Sequence, residues 1–131
     1  MPKIIEQRVL FDVASSVLYN LYMDEQEHTA VTEAQTFIKK IEGSEFSAYD
    51  GYIQGKNLVL IPNKLIVQSW RGKDWGKDDP DSILVIELNV MKKKTELHMV
   101  HVNVPEKFSS HIAKGWKEHY WNKWKQFLKL K

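Results

Sequence analysis

The sequence contains no cysteine. Disulfide bonds and thiolate metal sites are therefore excluded, and we expect a reducing compartment, the cytoplasm. No uninterrupted apolar stretch approaches the roughly 20 residues that a membrane-spanning helix needs. Charged residues interrupt the first segment, MPKIIEQRVLF, so that it has no secretory apolar core. We expect no membrane partner.

Motifs that carry chemistry are also missing. The chain contains no HExxH, GxSxG, P-loop or GxGxxG pattern. His98 and His101 are three residues apart on a predicted strand and so face opposite sides, while His111 and His119 are eight apart on a predicted helix. Neither spacing suits a shared metal ion. We expect no metal site, no cofactor and no set of catalytic residues.

The length and composition indicate one globular domain over residues 1–131. The chain is 43% hydrophobic and 27% charged, which is typical of a folded protein rather than a disordered one. Residues 114–131 carry six lysines and one glutamate, while the rest has 13 basic and 16 acidic residues. A lysine-rich helix surface is more often simply solvated than a nucleic-acid site, so we expect no nucleic-acid partner.

The first third of the chain predicts a strand and two short helices. Residues 3–12 place apolar side chains at even spacing, which favours a strand. The segment SSVLYNLYM that follows has helical spacing, with Ser15 or Ser16 available as its cap. Asp24 and Glu27 then form a capping-box pattern for a second helix.

The middle of the chain predicts a meander of antiparallel strands joined by short turns. Asp50-Gly51 indicates a hairpin with a type I′ turn, Pro62-Asn63 indicates a second turn, and Gly55 indicates a bulge or bend. The predicted strands lie in AQTFIKKI (34–41), SEFSAY (44–49), YIQGKNLVLI (52–61), KLIVQSWR (64–71), SILVIELNV (82–90) and TELHMVHVNV (95–104).

One long helix, residues 108–129, completes the chain. Its apolar side chains recur at three- and four-residue steps and share a broad face: Ile112, Trp116, Tyr120, Trp124, Phe127 and Leu128. Trp121 lies off the centre of this face and is predicted to be exposed. Only the sheet can cover so large a stripe. We therefore predict an α+β helix-grip fold, a curved antiparallel sheet of six to seven strands around the C-terminal helix, with two short helices after strand 1.

A twisted sheet and one straight helix can leave a hollow between them. Strand alternation and the helix stripe direct nine candidate ligand-binding residues toward this hollow or its rim: Gln68, Trp70, Trp75, Leu84, Ile86, Met99, His101, Trp116 and Tyr120. Gln68 and His101 are polar, and each must find a partner. They could lock the packing of the core or orient the polar end of a ligand. Trp70 and Trp75 could likewise serve packing or form the rim of a pocket.

Several segments, taken in order, resemble the heat-shock-protein-90 ATPase activator homologue family of the START-like, helix-grip superfamily. They are GYIQGKNLVLIPNKLIVQSWRGKDW (51–75), Ser82, TELHMVHVNVP (95–105) and GWKEHYWNKWKQFL (115–128). The resemblance implies a seven-stranded antiparallel sheet wrapped around a long C-terminal helix. Where that family often has glutamine, this chain has His101. Members of the superfamily mostly bind apolar ligands in the cavity, and some are enzymes.

Three functions are consistent with the sequence. The first is a non-enzymatic intracellular module that holds a small apolar or amphipathic ligand between sheet and helix. The second is a protein-interaction module related to the chaperone activators, with a chaperone or other protein as partner, using the lysine-rich back of the helix or Trp121. The third is a cyclase- or hydrolase-type enzyme using His101. General-base chemistry would need an orienting carboxylate, and Glu96 on the same strand faces the opposite side.

Overall fold

The computed structural model describes residues 1–129, so the last two residues of the predicted domain, 130 and 131, lie outside it. The elements follow in the order β1 (Lys3–Phe11), α1 (Ser15–Met23), α2 (Glu25–Thr32), β2 (Glu45–Ala48), β3 (Ile53–Ile61), β4 (Leu65–Gly72), β5 (Ser82–Met91), β6 (Lys94–Val104), α3 (Glu106–Trp116), a π-helical segment (Lys117–Trp121) and α4 (Asn122–Lys129). The last three elements are continuous and form the C-terminal helix. Among the described residues, no helix is long and apolar enough to cross a membrane.

The strands form one antiparallel sheet in the order β1-β6-β5-β4-β3-β2. The predicted α+β helix-grip fold is confirmed, with six strands in the described chain. The strand predicted at residues 34–41 is wrong, because this segment makes only a bridge between Phe37 and Ser47. On either side of Phe37, the backbone N–H groups of Thr36 and Ile38 donate to side-chain oxygens of α2. They therefore form no ladder of hydrogen bonds with a neighbouring strand.

The hairpin between β2 and β3 contains the predicted type I′ turn. Asp50 and Gly51 have φ values of 56° and 90°, and the Tyr52 N–H donates to the Tyr49 carbonyl at 3.1 Å. The ladder nevertheless stops at the pair Ala48–Ile53, so the connection is four residues long. Tyr49 also has a positive φ, 51°.

The bulge predicted at Gly55 lies further along β3, between Asn57 and Val59. Gly55 itself is not part of the bulge and has a different structural role. A Cβ atom at this position would lie 1.8 Å from the carbonyl oxygen of Ser69 on the neighbouring strand. Glycine therefore permits a close approach of the two backbones that no other residue allows.

The two short helices begin differently from each other. The Asp24 Oδ1 atom accepts hydrogen bonds from the backbone N–H groups of Gln26 and Glu27, both at 3.0 Å, which confirms Asp24 as the cap of α2. The return bond of the predicted capping box does not form, because the Asp24 N–H donates to the Asn20 carbonyl at 2.9 Å. The predicted caps Ser15 and Ser16 are wrong: the residue before α1 is Ala14, and no side chain caps the helix. The start of α1 is therefore set by tertiary packing of its buried face rather than by a local cap.

The concave face of the sheet carries the predicted sets of side chains. Alternation places three buried residues from each of the three central strands against the C-terminal helix: Ile66, Gln68 and Trp70, then Leu84, Ile86 and Leu88, then Leu97, Met99 and His101. The 24-residue helix contributes Ile112, Trp116, Tyr120 and Trp124 as buried residues, with Phe127 and Leu128 half-buried. This packing is the core of the molecule.

Trp121 is only 2% exposed, so the prediction that it faces solvent was wrong. The reason is the π-helical segment, in which the Asn122 N–H donates to the Lys117 carbonyl five residues earlier. Along this wider turn Tyr120 and Trp121 are both buried. Trp121 stacks on Trp116 with ring centres 5.3 Å apart, and its Nε1–H donates to Gln7 at 2.7 Å.

Candidate functional site

His101 lies in a directed chain of hydrogen bonds inside the core. The Trp116 Nε1–H group donates to His101 Nδ1 at 3.1 Å, and His101 Nε2 lies 2.8 Å from Ser82 Oγ, which donates to the Trp70 carbonyl at 2.6 Å. An indole can only donate, so Nδ1 is the acceptor and Nε2 carries the proton. Burial lowers the pKa of His101 to about 3. The imidazole is therefore neutral, with both nitrogens occupied.

Gln68 belongs to a second buried chain. Its Oε1 atom accepts from the Tyr22 hydroxyl at 2.8 Å, and its Nε2 group donates to Asn57 Oδ1 at 2.8 Å. Asn57 in turn donates to the Lys39 carbonyl at 2.8 Å. Burial raises the pKa of Tyr22, so its hydroxyl keeps the proton that this chain needs. The chain connects α1 with β4, β3 and the segment before β2.

His28 is a third buried polar residue, and the sequence analysis missed it. Its Nδ1 atom lies 2.8 Å from the Tyr22 carbonyl and its Nε2 atom lies 2.9 Å from the Tyr120 hydroxyl. A carbonyl only accepts, so Nδ1 carries the proton and Tyr120 donates to Nε2. Burial lowers the pKa of His28 to about 4. The available signal was the spacing of His28, Val31 and Thr32 on one face of α2.

Open space lies at one end of the sheet, under the first half of the C-terminal helix. A pocket of about 350 Å³ separates this helix from the β2–β3 turn and the end of β4. Its walls are Tyr49, Tyr52, Ile53, Trp70, His111, Ile112, Gly115, Trp116, His119 and Tyr120.

The pocket brings together three of the nine candidate residues, namely Trp70, Trp116 and Tyr120. The others lie beside it or deeper. Trp75 packs against Trp70 with ring centres 5.7 Å apart and stacks on Phe108. Five residues lie fully buried beneath the helix without lining the pocket: Gln68, Leu84, Ile86, Met99 and His101.

Most polar groups of the aromatic wall form hydrogen bonds within the protein. The Tyr49 hydroxyl donates to the His119 carbonyl at 2.5 Å, and the Tyr52 hydroxyl donates to Asp74 at 2.7 Å. Partial burial and the bond to Asp74 raise the pKa of Tyr52 to about 12. Tyr120 and Trp116 donate to His28 and His101, as described above. The indole Nε1–H of Trp70 differs, since it is buried and has no hydrogen-bond partner among the described residues. The wall therefore presents aromatic rings and no free hydroxyl group.

Three positions around the pocket have a backbone conformation or a residue type that is unfavourable for local stability. Tyr49 is a bulky residue in the left-handed region, and the helix opposite changes from α to π at Lys117. Gly115 lies inside the C-terminal helix, where glycine is about 1 kcal/mol less favourable than alanine. Strained or suboptimal backbone tends to cluster where function requires it.

The fold and this cavity define a helix-grip protein of the START-like class. Residues 12–129 match the family model described as activator of Hsp90 ATPase homolog 1-like protein. The chain belongs to this family, which confirms the resemblance found in the sequence.

The curated relatives are longer proteins. The activator of 90 kDa heat shock protein ATPase homolog of Dictyostelium discoideum is 27% identical over 115 residues, which are 88% of this chain and 30% of that protein. The human activator of 90 kDa heat shock protein ATPase homolog 1 is 29% identical over 111 residues, 83% of this chain and 32% of that protein. The chain thus spans about a third of the length of the curated relatives it matches.

Solved structures share the fold. An HSP90 activator from Plasmodium falciparum superposes with a TM-score of 0.88 and 23% identity, covering 95% of each chain. The Aha1 dimer from Colwellia psychrerythraea gives a TM-score of 0.76 at 18% identity, covering 88% of each chain. At these identities the likeness concerns the fold alone.

Proposed function

We propose that the protein binds a small apolar or amphipathic molecule in the pocket between the β2–β3 turn, the end of β4 and the C-terminal helix. The observation that carries this proposal is that a glycine, Gly115, lies inside the C-terminal helix at the pocket. A Cβ atom added there would meet only the His119 ring, at an ordinary contact distance of 3.7 Å. Alanine would fit, and it would make the helix more stable, so glycine keeps a gap open at the expense of stability.

The rest of the pocket agrees with this interpretation. Its volume lies at the lower end of the range typical of small-molecule sites, and such sites are mostly apolar and aromatic. The core next to it is packed and its buried histidines are internally bonded, so the pocket is not a packing defect spread through the core. His101, the residue of the enzyme interpretation, is fully buried and does not line the pocket.

Filling the gap tests the proposal. We expect Gly115→Leu to weaken binding of the uncharged fluorescent dye phenylnaphthylamine by at least about ten-fold, because the new side chain occupies the dye's space. Titration of the dye into purified protein measures this. Ser110→Leu adds the same side chain at an exposed position of α3 outside the pocket and should leave the dissociation constant unchanged. Equal binding of the dye by wild type and Gly115→Leu would refute the proposal.

A second candidate function is binding to a chaperone of the 90 kDa heat-shock class. Membership of the activator family and the names of the curated relatives support it. The exposed back of the C-terminal helix offers a basic surface made by Lys114, Lys117, Lys125 and Lys129, which would attract an acidic partner surface. Trp121 is buried and is therefore not part of this surface.

Charge reversal on that surface tests the second function. We expect the protein to change the ATPase rate of a 90 kDa heat-shock protein from the same organism, and the variant Lys117→Glu/Lys129→Glu to lose most of this effect at low salt. A steady-state ATPase assay measures both. Lys92→Glu/Lys93→Glu, in the exposed β5–β6 turn, is the matched control and should behave as wild type. An unchanged ATPase rate with wild type, together with no detectable complex, would exclude this function.

A further inference from the structure

The polar side of the pocket comes from one face of the C-terminal helix. His111, Gly115 and His119 follow one another at four-residue steps, so they lie on the same face of the helix. All three line the pocket, with the glycine gap between the two imidazoles. Both histidines are exposed, so a ligand entering the gap would meet an imidazole on each side.

Among the described residues, these two imidazoles are the exposed polar side chains of the pocket that have no hydrogen-bond partner, whereas the unpartnered Nε1–H of Trp70 is buried. Within residues 1–129, the nitrogens of His111 and His119 make no hydrogen bond and no ion pair; the His119 ring only packs edge-on against Tyr49, with centres 5.5 Å apart. His98, on the convex face, differs because its Nε2 atom lies 2.6 Å from Glu6.

The carboxylates nearest in sequence to the pocket walls are engaged elsewhere. Asp74 accepts the Tyr52 hydroxyl, Asp50 accepts the Gln35 N–H at 2.8 Å, and Glu118 pairs with Lys114 at 3.6 Å. None of them forms a hydrogen bond or an ion pair with the two imidazoles in the described part of the chain. A ligand group that pairs with His111 and His119 would therefore have little competition from the protein.

From these contacts we infer that the pocket takes a flat apolar molecule carrying an acidic group, a carboxylate or a sulfonate, with the acidic group between His111 and His119. The aromatic walls suit a flat apolar body, since rings gain most from stacked and edge-on contacts. Imidazole N–H groups suit an anionic oxygen, because hydrogen bonds to charged acceptors are stronger than those to neutral ones. This inference rests on the proposed ligand-binding function and specifies its ligand class.

Two dyes with the same aromatic body test the inference. Anilinonaphthalene sulfonate carries an acidic group, and phenylnaphthylamine lacks it. We expect wild-type protein to bind the sulfonate at least about ten-fold more tightly at low salt, and this preference to shrink as ionic strength rises. Fluorescence titration gives both dissociation constants.

The variant His111→Gln/His119→Gln removes both imidazoles without filling the gap. We expect it to lose the preference for the sulfonate, so that its dissociation constants for the two dyes become similar. His98→Gln, a histidine outside the pocket, is the control and should keep the preference. Circular dichroism and thermal unfolding verify that each variant is folded.

The outcomes separate this inference from the proposed function. Equal affinity of wild type for both dyes, or an unchanged preference in the double variant, would overturn the acidic-ligand inference while the pocket remains a binding site. If wild type binds neither dye, or if Gly115→Leu binds both as wild type does, the proposed function fails and the inference fails with it.

Discussion

Lowering the pH from 7 to 5 is expected to remove about 4 kcal/mol from the free energy of unfolding, because two neutral histidines are buried in the core. Burial lowers the pKa of His28 to about 4 and that of His101 to about 3, from an ordinary value of 6.5. Above pH 6.5 both states of the protein leave these groups neutral. Between pH 6.5 and about 4 only the unfolded chain takes up the two protons, so stability falls with pH in this window.

Urea unfolding at several pH values measures the effect. Near pH 5 the free energy of unfolding should change by about 2.7 kcal/mol per pH unit, which corresponds to the uptake of two protons on unfolding. His101→Gln supplies a donor and an acceptor without a titrating group and should roughly halve the slope. An identical slope in wild type and His101→Gln would show that His101 takes up no proton on unfolding in this range.

Gly55→Ala is expected to destabilise the protein by more than about 3 kcal/mol. The added Cβ atom would lie 1.8 Å from the Ser69 carbonyl oxygen and 2.8 Å from the Phe46 ring. Because the Ser69 contact is a backbone atom of a central ladder, β3 and β4 would have to separate and lose hydrogen bonds.

Chemical denaturation of Gly55→Ala measures this loss, and Gly115→Ala is the matched control. The same substitution at Gly115 adds a methyl group that meets only the His119 ring, at an ordinary contact distance of 3.7 Å, so it should stabilise the protein by about 0.5–1 kcal/mol. The two variants are thus expected to shift stability in opposite directions. A change below about 1 kcal/mol for Gly55→Ala would contradict the close approach of the two strands.

The sheet and its inward side chains were predictable because a strand has a fixed period of two. Gln68, Leu84 and Met99 lie on the concave face as alternation requires. The segment at residues 34–41 also alternates, with Thr36 and Ile38 buried. The backbone N–H groups of these two residues donate to side chains of α2, and such bonds leave no trace in local sequence.

The C-terminal helix was predictable as far as its period stayed at 3.6 residues. The prediction for Trp121 failed because the backbone changes to a π-helical turn just before it. An analysis of hydrophobic periodicity that assumes 3.6 residues per turn throughout cannot detect such a change. The stacking of Trp121 on Trp116 and its bond to Gln7 compensate for the poorer helix geometry.

The candidate site was predictable only in part. Trp70, Trp116 and Tyr120 follow from periodicity, and all three line the pocket. Gly115 and the pair of exposed histidines could not be assigned to a site from the sequence. They line the pocket only because the β2–β3 turn packs against the helix, and this packing depends on contacts between residues some 60 to 70 positions apart. Sequence spacing alone showed the two histidines only as an unsuitable metal pair.

The part of the C-terminal helix that follows the π-helical segment has a fixed register against the sheet. Each residue of an α-helix turns the chain by 100°, so deleting Asn122 or Lys123 would rotate the described residues downstream out of phase with the sheet. Trp124 would leave its contact with Phe11, which now has ring centres 5.9 Å apart. A change in the number of residues is therefore not tolerated in this part of the C-terminal helix.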